Sequence, residues 1–378
     1  MSHCLFFSAV LFVILSLAAL ASAQNPAPSS NDPWSILHPF WASSTMHNET
    51  LFFIAEPDKP ASAPLLFKAA NILRVQSADF QTQFVEGKDY RLAPDSRSLV
   101  LLPGSRIPSK TRAQLYPAPH SPNAIRERAD RSSWLLFGEG PFFHNMQVDV
   151  TYTHNDSWTG KVPAFQSASL ARTIKLLKAR KSLTLSVTGD SISEGGNASL
   201  LIKAKPGQPA FPQLVATSLE TAYHAKVVLK NRAVGGWRSD QGVTDARSVA
   251  NDKPDLVIIA FGMNDGDPAG YSANVAKIIQ TIRASNPDCD FILVASMIGN
   301  SEWSGMNVAK FPQFREALAK LCGPGVALAD LTTLWQELLK TKRFLDLTGN
   351  GVNHPNDFGH RLYAQSILAL LVEDYGKK

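Results

Sequence analysis

Between residues 183 and 372 the chain alternates short apolar runs with longer stretches of helical period, and few folds accommodate that alternation. Runs at 183–187, 226–229, 256–261, 291–295 and 326–329 read as strands, while 211–223, 274–284, 311–321 and 361–372 read as helices. The runs at 256–261, 291–295 and 326–329 are apolar throughout instead of alternating with polar residues, the pattern of strands buried on both faces. Strand–helix alternation of this kind makes a parallel sheet wrapped by helices, and ligands of such sheets bind outside the carboxyl ends of the strands. Chemistry is therefore expected in the residues that follow each run.

Gly189-Asp190-Ser191 follows the first run, where a helix should begin and its N-terminus favours a developing negative charge. Taken alone, such a triplet is an ordinary turn. Three further blocks come after it in chain order. Asn231-Arg232-Ala233-Val234-Gly235-Gly236-Trp237 follows the second run, and Phe261-Gly262-Met263-Asn264-Asp265 ends the third. His354-Pro355-Asn356-Asp357-Phe358-Gly359-His360 precedes the last helix. Together the four blocks resemble those of the SGNH (GDSL-type) hydrolases: Ser, Gly, Asn and His at strand ends or loops of one flavodoxin-like sheet. The resemblance covers residues 183–371, about half of the chain, and is closest to secreted carbohydrate O-acetylesterases.

That resemblance implies a serine esterase. Ser191 is the implied nucleophile and His354 the general base, with the Ser191 N–H, the Gly236 N–H and the Asn264 side-chain amide as oxyanion donors; spacing alone barely separates Gly236 from Gly235. The family places an aspartate three residues before the histidine, and Gly351 stands there in this chain. Asp357 is the expected third member, ahead of Asp346 and Asn350, with a Ser–His dyad as the other outcome. His360 competes with His354, since Asp357 to His360 has the family's Asp-to-His spacing, shifted six residues along the chain. Glu194, the Gly195-Gly196-Asn197 stretch, Trp237 and Trp303 are expected around the pocket, the tryptophans against sugar rings. The expected reaction is deacetylation of a polysaccharide through an acyl-enzyme. The rivals are a lipase or thioesterase of the same fold and a non-catalytic glycan-binding protein.

The first half has a different texture. Apolar or alternating runs at 51–54, 65–67, 98–102, 134–137 and 146–152, broken by Pro, Gly, Asn and Asp, predict an antiparallel β-sandwich of jelly-roll type over 34–165. A connecting helix over 170–178 then leads into the α/β domain of 166–378. Residues 1–23 read as a secretory signal peptide, an apolar stretch ending in Ala21-Ser22-Ala23, with a membrane anchor as the alternative, and 24–33 as a Pro/Ser/Asn-rich tether; the signal-peptide reading implies a secreted or periplasmic setting. No later segment reads as a membrane span.

The net charge of +5 draws on Arg172 to Lys181, five basic residues in ten, without the interleaved aromatics of a nucleic-acid surface. Removing the leader removes Cys4 and leaves Cys289 and Cys322, which export would allow to pair; two free thiols fit equally well. No cysteine or histidine spacing indicates a metal site, nothing resembles a phosphate cradle or dinucleotide fingerprint, and no cofactor is expected. The triplets at Asn48, Asn155 and Asn197 have the glycosylation pattern and read as chance.

Overall fold

The computed structural model describes residues 37–126 and 133–376; the expected signal peptide and tether lie outside them. All five apolar runs of the second half are strands: β10 (Leu183–Gly189), β11 (Val227–Asn231), β12 (Leu256–Ala260), β13 (Asp290–Ala295) and β14 (Val326–Asp330). They pair in parallel in the order β11-β10-β12-β13-β14, the doubly wound 2-1-3-4-5 arrangement whose crevice lies where the order reverses. That switch point is between β10 and β12, where Gly189 pairs with Ala260, so Asp190 to Ser191 and Phe261 to Asn264 emerge side by side.

Helices cover both faces. Leu256, Ile258 and Ile292 join one apolar cluster with Phe211, Leu362 and Ile367, while Val257, Ile259 and Phe291 join the opposite one with Val249, Ile278 and Phe314. The helices are α1 (Ala171–Lys178), α2 (Ser191–Glu194), α3 (Phe211–Tyr223), α4 (Ser239–Asn251), α5 (Pro268–Ser285), α6 (Lys310–Ala319), α7 (Leu331–Leu338), α8 (Phe344–Leu347) and α9 (Asp357–Leu371). The sequence reading passed over α4. Its apolar stripe is only Val243, Ala246, Val249 and Ala250, and it contains Gly242, where an added Cβ would lie 2.6 Å from the Phe261 ring.

The first half is β-rich, as expected. Its strands are β1 (Thr45–Ala55), β2 (Ser62–Pro64), β3 (Ala69–Ser77), β4 (Tyr90–Leu92), β5 (Ser98–Leu101), β6 (Ser109–Thr111), β7 (Ala124–Arg126), β8 (Trp134–Leu136) and β9 (Gln147–His154). One connected sheet runs β3-β9-β1-β2-β5-β4, with β6 parallel to β1, and β7 and β8 form a separate hairpin. The antiparallel β region is thus present, but strands joined through a shared β1 do not establish a jelly roll. The expected strand at 65–67 is a buried irregular stretch: its N–H groups go to Arg97 O, the Glu49 carboxylate and the Tyr152 hydroxyl instead of a ladder. Residues 155–170 contain no helix or strand.

The β region is bonded to the α/β region through buried charge. Lys342 and Glu49, each with a wholly buried side chain, form an ion pair, and Lys342 also reaches Pro64 O at 2.6 Å and Asp346 at 3.7 Å. Glu49 accepts from the Tyr152 hydroxyl at 2.6 Å, and Asp346 from the β1 backbone at Phe52 N, 2.7 Å. Every residue of α9 is buried, so its polar side chains must find partners. Arg361 donates to Gln208 and to Asn48 O, which a β-bulge in β1 releases from the ladder, and Gln365 donates to His38 O. Removing one partner of a buried pair leaves the other charge uncompensated and costs about 3–5 kcal/mol. Lys342→Met is therefore expected to lower unfolding stability by about that amount. Adding Glu49→Gln should restore part of it, as checked by urea titration of the two variants.

Candidate active site

Gly189 has to be glycine, because a Cβ there would lie 2.5 Å from Ser193 Oγ and 2.6 Å from Ala260 O. The tight exit from β10 lets Asp190 cap α2, its Oδ1 accepting from Ile192 N at 3.0 Å. The single turn then closes on Ser191 O, which accepts from Gly195 N and Gly196 N. Ser191 is thus the first residue of a short helix at the carboxyl end of the central crevice.

Its hydroxyl meets His354. Ser191 Oγ lies 2.8 Å from His354 Nε2, across 163 residues of sequence. On the far side of the ring, Nδ1 lies 2.7 Å from Asn197 Oδ1. The Asn197 amide donates from Nδ2 to Gly349 O at 3.0 Å and Gly140 O at 3.4 Å, so its oxygen must face the ring. Nδ1 therefore carries the proton, and Nε2 is the acceptor for the serine hydroxyl. Asn197 sits at φ +62°, the left-handed region that asparagine tolerates, and Gly196 beside it leaves room: a Cβ there would be 3.0 Å from His354 Nδ1.

The loop carrying His354 is held from several sides. Asn350 Oδ1 accepts from the N–H groups of Val352, Asn353 and His354, and His354 O accepts from Thr348 Oγ1 and Gly349 N. Asn350 Nδ2 donates to Glu139 Oε1 at 3.0 Å, and Glu139 Oε2 lies 3.6 Å from His354 Nδ1. Glu139 belongs to the β region. Neither Glu139 nor the Asn197 amide was identified from sequence as a partner of the ring. Asn197 stood only among the residues rimming the pocket, and Glu139 follows β8 in a half of the chain that the four blocks do not cover.

Asp357, the expected third member, does not reach the ring. Asp357 is turned away from His354, its carboxylate accepting from Ser199 N at 2.8 Å, where it pins the loop that follows Asn197. Burial raises its carboxyl above the ordinary value. Asp346 is committed to Phe52 N and Arg343 N, and Asn350 supports the His354 backbone, not its ring. His360 is fully buried in α9, with Nε2 on Gly196 O at 3.1 Å, and burial lowers it to about 4.

The second and third blocks converge on the same crevice. Asn231 ties the end of β11 to α2 through Ser193 O at 2.7 Å, and Val234 N donates to Gly189 O. A Cβ at Gly235 would stand 3.8 Å from the Ser191 Cβ and 3.0 Å from Glu194 Oε2, whereas one at Gly236 meets open space. Asn264 Nδ2 donates to Trp237 O at 3.0 Å. Asp265 clamps the two blocks together, accepting from Gly262 N and from Ser239 N and Oγ. The buried Lys310 ammonium donates to Met263 O and Asp265 O at 2.7 Å each. Trp237 and Trp303 are both half-buried and packed on opposite apolar clusters. Trp237 adjoins Asn264; Trp303 makes no hydrogen bond or ring contact with Ser191 or His354. Cys289 and Cys322 are free thiols, and the buried amides of Asn48 and Asn197 leave Asn155 as the exposed member of the three triplets.

Residues 187–362 match the model of the GDSL-like lipase/acylhydrolase family. This segment is a GDSL-like acylhydrolase domain. Similar solved structures include a two-domain esterase active on acetylated mannans, 20% identical with a TM-score of 0.46, which covers 58% of this chain. The chain spans 56% of that esterase's length. A lipase from a goat rumen metagenome is 16% identical, with a TM-score of 0.40 over 50% of this chain and 96% of its own. An acetyl xylan esterase from Geobacillus stearothermophilus is 19% identical, with a TM-score of 0.38 over 50% of this chain and 97% of its own. No curated protein matches.

Within the acylhydrolase domain, the carboxyl beside the serine has a pH signature. Burial pushes Asp190 up to about 7, against the lowering effect of its bond from Ile192 N and of nearby His354. A folded-state value above the unfolded one means that the folded protein holds the extra proton between roughly pH 4 and 7. Stability from this group is therefore present at low pH and lost as pH rises through 7. Asp190→Asn removes that dependence: its stability relative to the wild type should rise from pH 4 to 7 and level off above, as read by denaturant unfolding at a series of pH values.

Proposed function

We propose that the protein hydrolyses O-acetyl esters on a carbohydrate, with Ser191 as nucleophile and His354 as general base. The observation that carries the assignment of nucleophile and base is the 2.8 Å contact of Ser191 Oγ with an imidazole nitrogen whose tautomer is set from behind by Asn197. In the first step His354 Nε2 takes the serine proton as Oγ attacks the ester carbonyl. The imidazolium then protonates the leaving sugar oxygen, leaving an acetyl-enzyme on Ser191. Water, deprotonated by the same nitrogen, releases acetate and restores the serine.

The negative oxygen of each tetrahedral intermediate needs donors, and three are in reach by chain position: Ser191 N–H, Gly236 N–H and the Asn264 amide. Asn264 spends one N–H on Trp237 O, which fixes its orientation and leaves a second for the oxyanion. Trp237 and Trp303 are the proposed sugar contacts. The leader-like residues 1–23 support export, so the expected substrate is an extracellular or periplasmic polysaccharide. No helix among the described residues is long and apolar enough to cross a membrane.

A longer acyl chain is the second reading, because Val234 and Leu201 are exposed beside the serine block, at 39% and 51%. Comparing p-nitrophenyl acetate with the octanoate distinguishes the two. The acetyl reading predicts higher kcat/KM on acetate; a preference for octanoate makes the enzyme a lipase or thioesterase. Ser191→Ala should abolish turnover without loss of fold, and activity within tenfold of wild type would remove it as nucleophile. Asn264→Ala should lower kcat by about 10²–10³, with a smaller effect on KM, the usual loss for one oxyanion donor. A variant that chiefly raises KM would make Asn264 a substrate contact instead.

A further inference from the structure

A triad carboxylate performs two tasks: it holds the imidazole in the right tautomer, and it balances the charge of the imidazolium. In this chain no aspartate reaches the ring from the His354 loop, and two residues from different regions occupy its far side. We propose that the two tasks are divided, with Asn197 fixing the tautomer and Glu139, supplied by the β region, acting as the charge-balancing positioning residue for His354. The inference rests on the Ser191–His354 reading.

Both neighbours of Glu139 are bonded to residues around the ring. Gly138 N donates to Asn350 O at 3.2 Å, and Gly140 O accepts from the same Asn197 amide whose oxygen faces Nδ1. Glu139 is thereby bracketed, and its two oxygens take the Asn350 amide at 3.0 Å and the imidazole edge at 3.6 Å. Burial alone would push its carboxyl up, but hydrogen bonding with His354, Asn350 and Asn197 outweighs that and holds it below its ordinary value. His360 and Asp190, from α9 and the β10 exit, also interact electrostatically with the ring. His360 is buried and carries no compensating negative charge. Asp190 lies on the serine side and caps α2. Glu139 is thus the carboxylate beside Nδ1. Its side chain is 55% exposed against 13% for His354, so the attraction is that of a partly screened pair.

When Nε2 takes the Ser191 proton the ring becomes positive, and Nδ1–H keeps its bond to Asn197. Glu139 then faces a cation instead of a neutral ring, so it stabilises the transition state more than the ground state. Glu139→Gln keeps the shape and the tautomer and removes the charge. The expected result is a fall in kcat of about fivefold to tenfold with little change in KM, the scale of a half-exposed ion pair. The acid limb of the kcat/KM–pH profile should move to lower pH, because the protonated ring loses its counter-charge. Wild-type kcat should fall as salt is raised, while the variant stays flat. Asn197→Ala, with folding verified by thermal unfolding, should cost more than Glu139→Gln because the tautomer is lost.

The experiment measures these profiles on p-nitrophenyl acetate for wild type, Glu139→Gln, Asn197→Ala and His354→Ala. If His354→Ala is inactive while Glu139→Gln keeps wild-type kcat, acid limb and salt dependence, the charge role of Glu139 is overturned and the Ser–His reading stands. If a folded Asn197→Ala keeps wild-type kcat, the tautomer role is overturned. An active His354→Ala overturns the base reading and this inference with it.

Discussion

The buried ammonium of Lys342, set between Glu49, Pro64 O and Asp346, fixes how the β region sits on the α/β sheet. Charges taken out of water are tolerated only in one geometry, where each is paired and hydrogen-bonded, so such a joint discriminates sharply against alternative dockings. Arg361 and Gln365 extend it along α9, a helix with no solvent-facing side. The residue that opens α9, Asp357, reaches forward to Ser199 N and so supports the loop bearing Asn197. The packing that stabilises the joint is continuous with the packing that positions the imidazole.

That continuity brings the β region to the far side of the His354 ring. The 138–140 segment touches Asn350 and Asn197, the two residues that shape the His354 loop and orient its ring. In the proposed mechanism the serine side of the site comes wholly from strand ends of the parallel sheet, through Ser191, Gly236 and Asn264. The far side of the base is shared between both regions.

The parallel sheet was legible because its runs at 256–261, 291–295 and 326–329 are apolar at every position, the pattern of strands buried on both faces. Placing Ser191, Gly236, Asn264 and His354 at strand ends and loops followed from chain order. The short strands of the first half were partly legible: 65–67 is as apolar as a strand but bonds to side chains, and periodicity does not distinguish these. The surroundings of His354 were the hardest to read. Asp357 has the right residue type close to the histidine, but the start of α9 turns its carboxylate toward Ser199. Glu139 lies more than 200 residues from His354 in sequence and is brought there only by the joint, so no local motif carries it. Asn197 stood within a stretch expected to rim the pocket and within a glycosylation pattern; its amide contacts with Gly349, Gly140 and His354 bring it to the ring.

The central claim is that Ser191 is a nucleophile activated by His354. Diethyl p-nitrophenyl phosphate tests it without reference to any natural substrate, since a serine activated by an adjacent base displaces p-nitrophenolate and keeps the diethylphosphoryl group. Peptide mass spectrometry should find one such group per chain, on Ser191, with the label lost in His354→Ala. No label, a label on another residue, or labelling that persists at the same rate without His354 would contradict the account.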